Sequence, residues 1–290
     1  MKNTRRDAFQ SVPNTLKQLM REYEFRPKKR LGQNFLMDPQ AASRMAGVFE
    51  DPKIPLIEIG GGFGALTEPL SRRFDSLSVL ETDPRLFRYL SAHFGGQKNV
   101  QIEKKDVLKI SFQNYLQLPD DKVYVIGNLP YAITSPILIH LINERLFIRE
   151  ALITVQKEVA ERLRAKPRSK AYSPLSCLLQ LFTEVDPQFK ISKNAFYPRP
   201  KVDSEVVRLR FLEKPSVSPR DLDFMIKVIR TGFGKRRKIL ANALTDLGRE
   251  FSKEKILDSL KEIGFSKDAR AEELQLEDFE RLSDKLYFSK

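Results

Sequence analysis

The sequence predicts an α/β protein with a Rossmann-like, mostly parallel sheet and a smaller, all-helical C-terminal domain. Three observations lead to this fold class. From about residue 55, short apolar runs alternate with segments of helical spacing, which is typical of βαβ units. A glycine-rich turn follows the first of these runs, where a strand would meet a helix. After residue 221, the remaining apolar residues recur with helical periodicity only.

Five apolar runs form the predicted parallel strands, and each is separated from the next by an amphipathic segment. The runs are PLIEIG from residue 55, LSVLETD from 77, VQIEKKD from 100, KVYVIGN from 122 and EALITVQ from 150. Several of the intervening segments begin with Pro or Thr, which favour helix N-termini. Two further strands, one near 187–192 and one from residue 205 (EVVRLRFL), are expected to form a terminal hairpin on the sheet.

The segment 213–221 (EKPSVSPRD) contains two prolines and two serines and has no apolar period, which indicates a domain boundary. A chain of 290 residues has room for two domains of ordinary size. We therefore expect a sheet domain over 27–213 and a helical domain over 221–290. The first 26 residues carry charges throughout, and we expect a basic, disordered extension there.

Composition excludes several classes of protein. The chain is 41% hydrophobic, yet no apolar run approaches the roughly 18 residues of a membrane span. No secretory signal is evident, so a cytoplasmic protein is expected. Cys177 lies in an apolar segment and is interpreted as a packing thiol. His93 and His140 stand far apart without nearby cysteines or paired acids, and we expect no metal site.

A formal net charge of +13 favours a polyanionic partner, with nucleic acid first among the candidates. The charge is concentrated near residues 26–30, 162–170 and 235–238, which distinguishes it from an evenly solvated lysine surface. The predicted RNA contacts are Lys28, Lys29, Arg30, Arg164, Lys166, Arg168, Lys235, Arg236, Arg237 and Lys238.

The glycine-rich turn allows a ligand to approach the main chain closely, which makes Gly60 and Gly62 candidate cofactor contacts. Gly60, Gly62 and Ala65 also satisfy the dinucleotide fingerprint. Glu81 follows about 20 residues later, where an acid binds ribose hydroxyls. At this point an NAD-dependent oxidoreductase remains an open alternative.

Polar residues at the ends of the third and fourth predicted strands favour S-adenosylmethionine over NAD. Ligands of open α/β sheets bind at the carboxyl ends of the strands. Asp106 ends the third strand, where its carboxylate can accept the adenine amine of the cofactor. The alternative is that Asp106 only caps a turn. Asn128 ends the fourth strand.

The tetrapeptide Asn128-Leu129-Pro130-Tyr131 predicts methylation of an exocyclic adenine amine. That nitrogen is a poor nucleophile because its lone pair is delocalised, so the reaction needs positioning more than a base. The Asn128 side-chain oxygen and the Leu129 carbonyl can each accept one amine hydrogen, and Pro130 restricts the loop. Tyr131 offers a stacking face for the base. Phe196 is the candidate for the other face, with packing in the core or in its loop as the alternative.

These residues resemble those of the ribosomal RNA adenine N6,N6-dimethyltransferases of the small-subunit type. The resemblance covers about residues 26–287. The blocks that carry it include KKRLGQNFL, EIGGGFGALT, GNLPYAITSP, FYPRPKVDSEVVRL, GFGKRRKIL and ARAEELQLEDF. The resemblance implies cofactor contacts at Asn34, Leu36, Gly60, Glu81, Asp106 and Asn128. One departure is Gly61, where the family usually has proline, and we interpret this glycine as a looser turn.

The resemblance implies that two methyl groups are transferred to each of two adjacent adenines near the 3′ end of small-subunit ribosomal RNA. The implied partner is a pre-assembled small ribosomal subunit, and we expect the protein to act as a monomer. Two alternatives remain: the related large-subunit methyltransferase that confers macrolide resistance, and a non-catalytic RNA-binding assembly factor. The GFGKRRKIL and ARAEELQLEDF blocks favour the small-subunit enzyme over the first, and the intact Asn128 loop argues against the second.

Overall fold

The computed structural model describes residues 12–28, 32–116, 118, 121–235 and 238–288. The chain folds into two compact units. The first contains Met1–Lys157 and Asp186–Phe211, and the second contains Glu158–Val185 and Leu212–Lys290.

The first unit is built around a sheet that has seven strands within the described residues. The strands of this sheet are β2 (Leu56–Ile59), β3 (Leu77–Leu80), β4 (Val100–Glu103), β5 (Val123–Asn128), β6 (Ile148–Gln156), β7 (Thr183–Ile191) and β9 (Ser204–Phe211). Two short strands, β1 (Phe35–Leu36) and β8 (Phe196–Tyr197), pair with each other outside this sheet. The order in the sheet is β4-β3-β2-β5-β6-β9-β7. The predicted fold class is confirmed.

The strand order reverses beside β2. This strand pairs in parallel with β3 on one side and with β5 on the other, and β4 and β6 extend the sheet in the same sense. Each of the four residues of β2 is buried, as expected for a strand covered on both faces. At such a switch point the connections leave towards opposite faces, which opens a crevice at the carboxyl ends of the strands. β9 runs antiparallel to β6, and β7 lies next to β9 at the edge of the sheet.

Helices surround the sheet and form most of the second unit. Their bounds are α1 (Val12–Glu22), α2 (Pro39–Ala46), α3 (Thr67–Ser71), α4 (Pro84–Phe94), α5 (Thr134–Asn143), α6 (Lys157–Leu163), α7 (Pro174–Phe182), α8 (Leu222–Gly234), α9 (Leu240–Leu244), α10 (Lys253–Glu262) and α11 (Leu276–Phe288). Local chemistry explains where several of these helices begin. Asp38 and Asp83 cap α2 and α4 with their side chains, and a proline occupies the first turn of each.

The described part of the N-terminal extension differs from the expected disorder, because residues 12–22 form α1. Leu16 and Met20 on this helix are buried with Phe25 and Leu86. A periodic apolar face therefore orders this segment despite its charge, since burial of that face compensates for the lost chain entropy. The first eleven residues lie outside the described residues.

Residues 158–185 fall within the first domain predicted from the sequence, whereas in the structure they group with the C-terminal helices. Aromatic contacts hold the second unit together: the Tyr172 ring lies 5.8 Å from Phe233, which in turn lies 6.1 Å from Phe279. The main-chain nitrogen of Arg168 also donates to the Glu272 carbonyl at 2.6 Å. These contacts join segments distant in sequence, so composition alone cannot reveal them. The domain bounds drawn from the sequence remain a prediction.

Candidate functional site

A cavity of about 930 Å³ opens at the carboxyl ends of β2, β3 and β5, in the crevice that the strand order creates. Small-molecule sites usually measure roughly 300 to 1,000 Å³, so this volume suits a nucleoside-sized ligand. The cavity wall includes every cofactor contact predicted from the sequence, namely Asn34, Leu36, Gly60, Gly62, Glu81, Asp106 and Asn128. Residues up to 94 positions apart are thus brought to one place by the sheet.

The turn after β2 brings main chain to the cavity wall. Gly60 has a φ of +76°, in the left-handed region that side chains rarely adopt. A Cβ added at Gly60 would meet no heavy atom within 4 Å, so the space beside this residue is open towards a ligand. The main-chain nitrogen of Gly62 donates to Glu81 Oε2 at 3.1 Å and ties the turn to β3.

Glu81 is buried and held rigidly by main-chain donors. Its Oε1 accepts hydrogen bonds from the nitrogens of Thr82 (2.8 Å) and Asp83 (2.9 Å), in addition to the Gly62 bond to Oε2. Burial raises the pKa of this carboxyl, and the three main-chain bonds oppose that effect. An ionised carboxylate has about four acceptor positions, so capacity remains for a ligand hydroxyl.

Asp106 caps a turn, and the cofactor contact expected for it remains a prediction. Its Oδ1 accepts the Leu108 nitrogen at 3.0 Å and caps the short 3-10 turn Val107–Lys109. The same residue lines the cavity. The cap fixes the carboxylate three residues after the end of β4, beside the cavity.

Asn128, the last residue of β5, has an amide orientation set by its neighbour. Its Nδ2 donates to the main-chain oxygen of Asn34 at 2.7 Å. Because a carbonyl oxygen can only accept, the NH2 group must occupy this side and Oδ1 the other. Oδ1 is buried and has no hydrogen-bond partner within the described residues. Such an atom costs about 1 to 3 kcal/mol, so the fold carries an acceptor ready for a ligand donor.

The predicted base-stacking rings do not line the cavity in the described structure. Tyr131 is half-buried, and its hydroxyl forms a 2.7 Å hydrogen bond with Ser204 Oγ. Phe196 is fully buried in the hydrophobic core, opposite Leu36 in the β1–β8 pair. Sequence reasoning left core packing as the alternative for Phe196, and the structure gives that result. Of the predicted catalytic residues, Asn128 and Pro130 line the cavity, while Leu129 is buried beside them.

Sequence reasoning missed a wall of the cavity that α1 supplies. Leu16 and Leu19 line it, and Leu16 packs in a cluster that reaches Phe63 in the glycine-rich turn. The periodic apolar positions of residues 16–23 are the signal that could have revealed this helix.

Glu58 is a second buried acid that sequence reasoning did not single out. It lines the cavity, and its Oε2 accepts the Thr67 hydroxyl at 2.7 Å. Burial is the main reason that its pKa rises to about 7, and the nearby charge of Glu81 raises it further, while the Thr67 bond opposes both.

Gly61 does not loosen the turn, contrary to our interpretation of the sequence. A Cβ added here would lie 2.4 Å from Val79 Cγ1 and 2.9 Å from Leu90 Cδ1. The space that a proline ring would need is therefore filled by side chains of β3 and α4. Gly61 is a packing requirement of this particular core.

The predicted RNA contacts have different surroundings. Lys28 is exposed and lies 3.8 Å from Asp83, whereas Arg164, Lys166 and Arg168 are exposed in the second unit. Lys235 is paired with Asp246 at 2.5 Å, and Lys238 is exposed. Lys29, Arg30, Arg236 and Arg237 lie outside the described residues.

Two further features concern the described residues only: the grouping of potential metal ligands and the length and apolar character of the helices. Within them, no group of three or more His, Cys, Asp and Glu side chains is arranged to hold a metal ion. None of the described helices combines the length and apolar character that crossing a bilayer requires.

Comparison with known sequences gives a consistent result. A family model described as Ribosomal RNA adenine dimethylase matches residues 24–287. A Bacillus cytotoxicus protein named ribosomal RNA small subunit methyltransferase A is 41% identical over 95% of this chain and 97% of its own length. A Moorella thermoacetica protein of the same name is 38% identical over 94% and 97%.

Solved structures of similar proteins share the fold. A dimethyladenosine transferase from Plasmodium falciparum aligns with a TM-score of 0.69 at 25% identity, covering 86% of this chain and 95% of its own. The 23S rRNA methyltransferase ErmE aligns with a TM-score of 0.64 at 26% identity, covering 87% and 99%.

The packing around Gly61 predicts that Gly61→Ala destabilises the chain and that Val79→Ala partly restores it. Overpacking of a filled core costs roughly 1 to 3 kcal/mol, and removing the Val79 methyl groups frees the space for the new Cβ. Urea denaturation of the wild type, both single variants and the double variant measures this coupling. Gly96→Ala is the matched control, because a Cβ there meets nothing within 4 Å. Strictly additive free energies would contradict this account.

The raised pKa of Glu58 predicts that the stability of the folded protein depends on pH. Its folded-state pKa of about 7 lies above the usual value of 4.5 for a glutamate, so the stabilisation from this group is present at low pH and is lost as pH rises through 7. Between pH 5 and 8, the unfolding free energy of the wild type should fall relative to Glu58→Gln, by up to roughly 3 kcal/mol. Urea denaturation across this range measures the difference, with the exposed Glu50→Gln as control. Parallel pH profiles for wild type and Glu58→Gln would refute the assignment.

Proposed function

The chain belongs to the ribosomal RNA adenine dimethylase family, and from this premise we propose that it dimethylates N6 of two adjacent adenines near the 3′ end of small-subunit ribosomal RNA. The methyl donor in this proposal is S-adenosylmethionine. The observation that carries the proposal is Asn128, which lines the cavity and whose buried Oδ1 has no hydrogen-bond partner within the described residues. It supplies the acceptor that an adenine amine needs.

The cavity residues fit S-adenosylmethionine. Open space beside Gly60 admits a ligand against the main chain. The carboxylate of Glu81 is suited to ribose hydroxyls and that of Asp106 to the adenine amine, since both line the cavity and are fixed by main-chain donors. The cofactor contributes an activated methyl group on a positively charged sulfur.

The contribution of the protein is to hold the target nitrogen in a reactive geometry. Asn128 Oδ1 accepts one hydrogen of the amine, and the Leu129 main-chain oxygen accepts the other. Together these bonds draw the nitrogen away from conjugation with the ring and direct its lone pair towards the methyl group. Positioning of this kind can account for several orders of magnitude in rate. Pro130 limits the movement of the loop that carries both acceptors.

The second methyl transfer has one fewer hydrogen available. A monomethylated amine retains a single N–H, so it engages only one of the two acceptors. Asn128 is the acceptor suited to both transfers, because its Nδ2 bond to Asn34 keeps Oδ1 in one orientation. The pocket must also accommodate the methyl group already present.

Several observations support the small subunit as the substrate. The relatives named small subunit methyltransferase A are 38% and 41% identical to the chain, whereas the large-subunit enzyme ErmE is 26% identical. The large-subunit alternative is therefore not favoured. The described basic residues are suited to phosphate contacts, which supports binding of ribosomal RNA. We place the protein in the cytoplasm as a monomer that acts on the small ribosomal subunit during its biogenesis.

Replacing Asn128 tests the function directly. Undermethylated small subunits are incubated with labelled S-adenosylmethionine, and the RNA is analysed for N6,N6-dimethyladenosine. The wild type should form it. Asn128→Ala should lower methyl transfer by at least about 10²-fold, the typical effect of removing a preorganised polar contact, while RNA binding is retained. The exposed Asn114→Ala is the matched control and should be fully active.

Three results would change the assignment. Unchanged methylation by Asn128→Ala would remove the positioning role. A modified base mapped by primer extension only in large-subunit RNA would replace the substrate. Calorimetric binding of NAD without binding of S-adenosylmethionine would restore the oxidoreductase alternative.

The exposed Lys238 tests the role of the basic residues in RNA binding. Loss of one phosphate contact should reduce the slope of log K against log salt concentration by about 1, because fewer counterions are released. Lys238→Ala is compared with Lys267→Ala, another exposed lysine of the second unit outside the predicted clusters. Small-subunit binding is measured over a series of salt concentrations. A slope for Lys238→Ala equal to that of the wild type would identify Lys238 as a solvated surface residue.

A further inference from the structure

Two segments far apart in the sequence meet at the proposed catalytic loop. Asn128 Nδ2 donates to the Asn34 carbonyl at 2.7 Å, and the Tyr131 nitrogen donates to the Gly32 carbonyl at 3.3 Å. A third bond, from Asn34 Nδ2 to the Gly32 oxygen at 2.9 Å, lies within the first segment. The loop is therefore held at both ends by the main chain of residues 32–34.

Gly32 allows this close approach. Its φ is +62°, a conformation that favours glycine. An added Cβ would lie 2.9 Å from the Ala132 nitrogen and 3.0 Å from the Tyr131 nitrogen. Both are main-chain atoms, which cannot move aside as the end of a flexible side chain can. Any larger residue at position 32 must displace the loop that carries Asn128.

The bond to Asn34 also fixes the orientation of the Asn128 amide. The terminal torsion of asparagine is roughly two-fold, so the two ends of its amide can exchange by rotation. Rotation would present a donor, the NH2 group, where the adenine amine needs an acceptor. The Asn34 carbonyl opposes this rotation, because a carbonyl placed against Oδ1 would bring two acceptors together.

We propose that residues 32–34 form a positioning clamp for the catalytic loop, in which Gly32 sets the distance and the Asn34 carbonyl sets the amide orientation of Asn128. This inference rests on the proposed methyl transfer. It assigns Gly32, which does not line the cavity, a part in the reaction that is separate from cofactor binding. The clamp acts through Asn128, so Gly32 is a positioning residue.

Gly32→Ala in the full chain tests the clamp. A displacement of about 1 Å at a reacting group can cost about 10²-fold in rate, so kcat with undermethylated small subunits should fall by about that factor. The KM for S-adenosylmethionine and the calorimetric Kd for S-adenosylhomocysteine should each change by less than about threefold, because the three atoms nearest the added Cβ belong to Tyr131 and Ala132 and not to the predicted cofactor contacts. Gly96→Ala, at an exposed glycine with free space, is the matched control and should keep its kcat.

A double variant separates positioning from general loss of structure. Asn128→Ala removes the group on which the clamp acts, so adding Gly32→Ala should lower kcat little further. If the double variant loses kcat by the product of the two single-variant factors, the proposal is overturned. An unchanged kcat for Gly32→Ala would also overturn it. A kcat lost in proportion to S-adenosylhomocysteine affinity would also overturn it.

The wild-type chain provides a test that does not depend on the folding of any variant. In a chain labelled with ¹⁵N-asparagine, the Asn128 side-chain NH2 signals, assigned by their absence in Asn128→Ala, should exchange with solvent more slowly than those of exposed Asn114. Equal exchange rates would overturn the clamp. If the Asn128 NH2 group of the wild type exchanges slowly but the protein methylates no RNA, the proposed function is refuted while the geometry of the clamp is retained.

Discussion

The hydrogen bond between Asn128 Nδ2 and the Asn34 carbonyl, 2.7 Å long, is the constraint on which the proposed chemistry of the cavity depends. It satisfies the donor end of the amide inside the protein, while the acceptor end is buried and has no partner among the residues that the structure describes. An asparagine free to rotate could present either end. By removing that freedom, the fold converts an ordinary polar residue into a directed acceptor and incurs the cost of one unsatisfied atom until a ligand arrives.

The sheet makes this constraint possible. Since the strand order reverses beside β2, the ends of β2, β3 and β5 border one crevice, and Glu81 and Asn128 line the same cavity as Gly60. The polar groups there are fixed by main-chain bonds before a ligand binds, as the three donors to Glu81 illustrate. Preorganisation of this kind lowers the conformational cost of binding. It also places Glu58 and Glu81 together in a buried region, where desolvation raises the pKa of both carboxyl groups.

Much of the site was predictable because strand ends and glycine turns have local signals. Glu81, Asp106 and Asn128 each end an apolar run, and parallel strands must present such ends at one edge of the sheet. Asn34 and Leu36 were implied only by family resemblance, because the short strand β1 has no periodicity of its own. The disorder expected up to residue 26 was wrong for residues 12–22, where a charged segment folds because α1 has an apolar face to bury.

By itself, the sequence determined the order of strands and helices, the residue types at the strand ends and hence the class of ligand and reaction. Only the tertiary structure decided how those residues are used. Phe196 lies in the core because its partner in the β1–β8 pair is buried, and Gly61 is required because Val79 fills the adjacent space. Gly32 acquires its role from the main chain of Tyr131 and Ala132 beside it. The physical reason is common to all three: close packing depends on neighbours that are distant along the chain, and no local pattern encodes them.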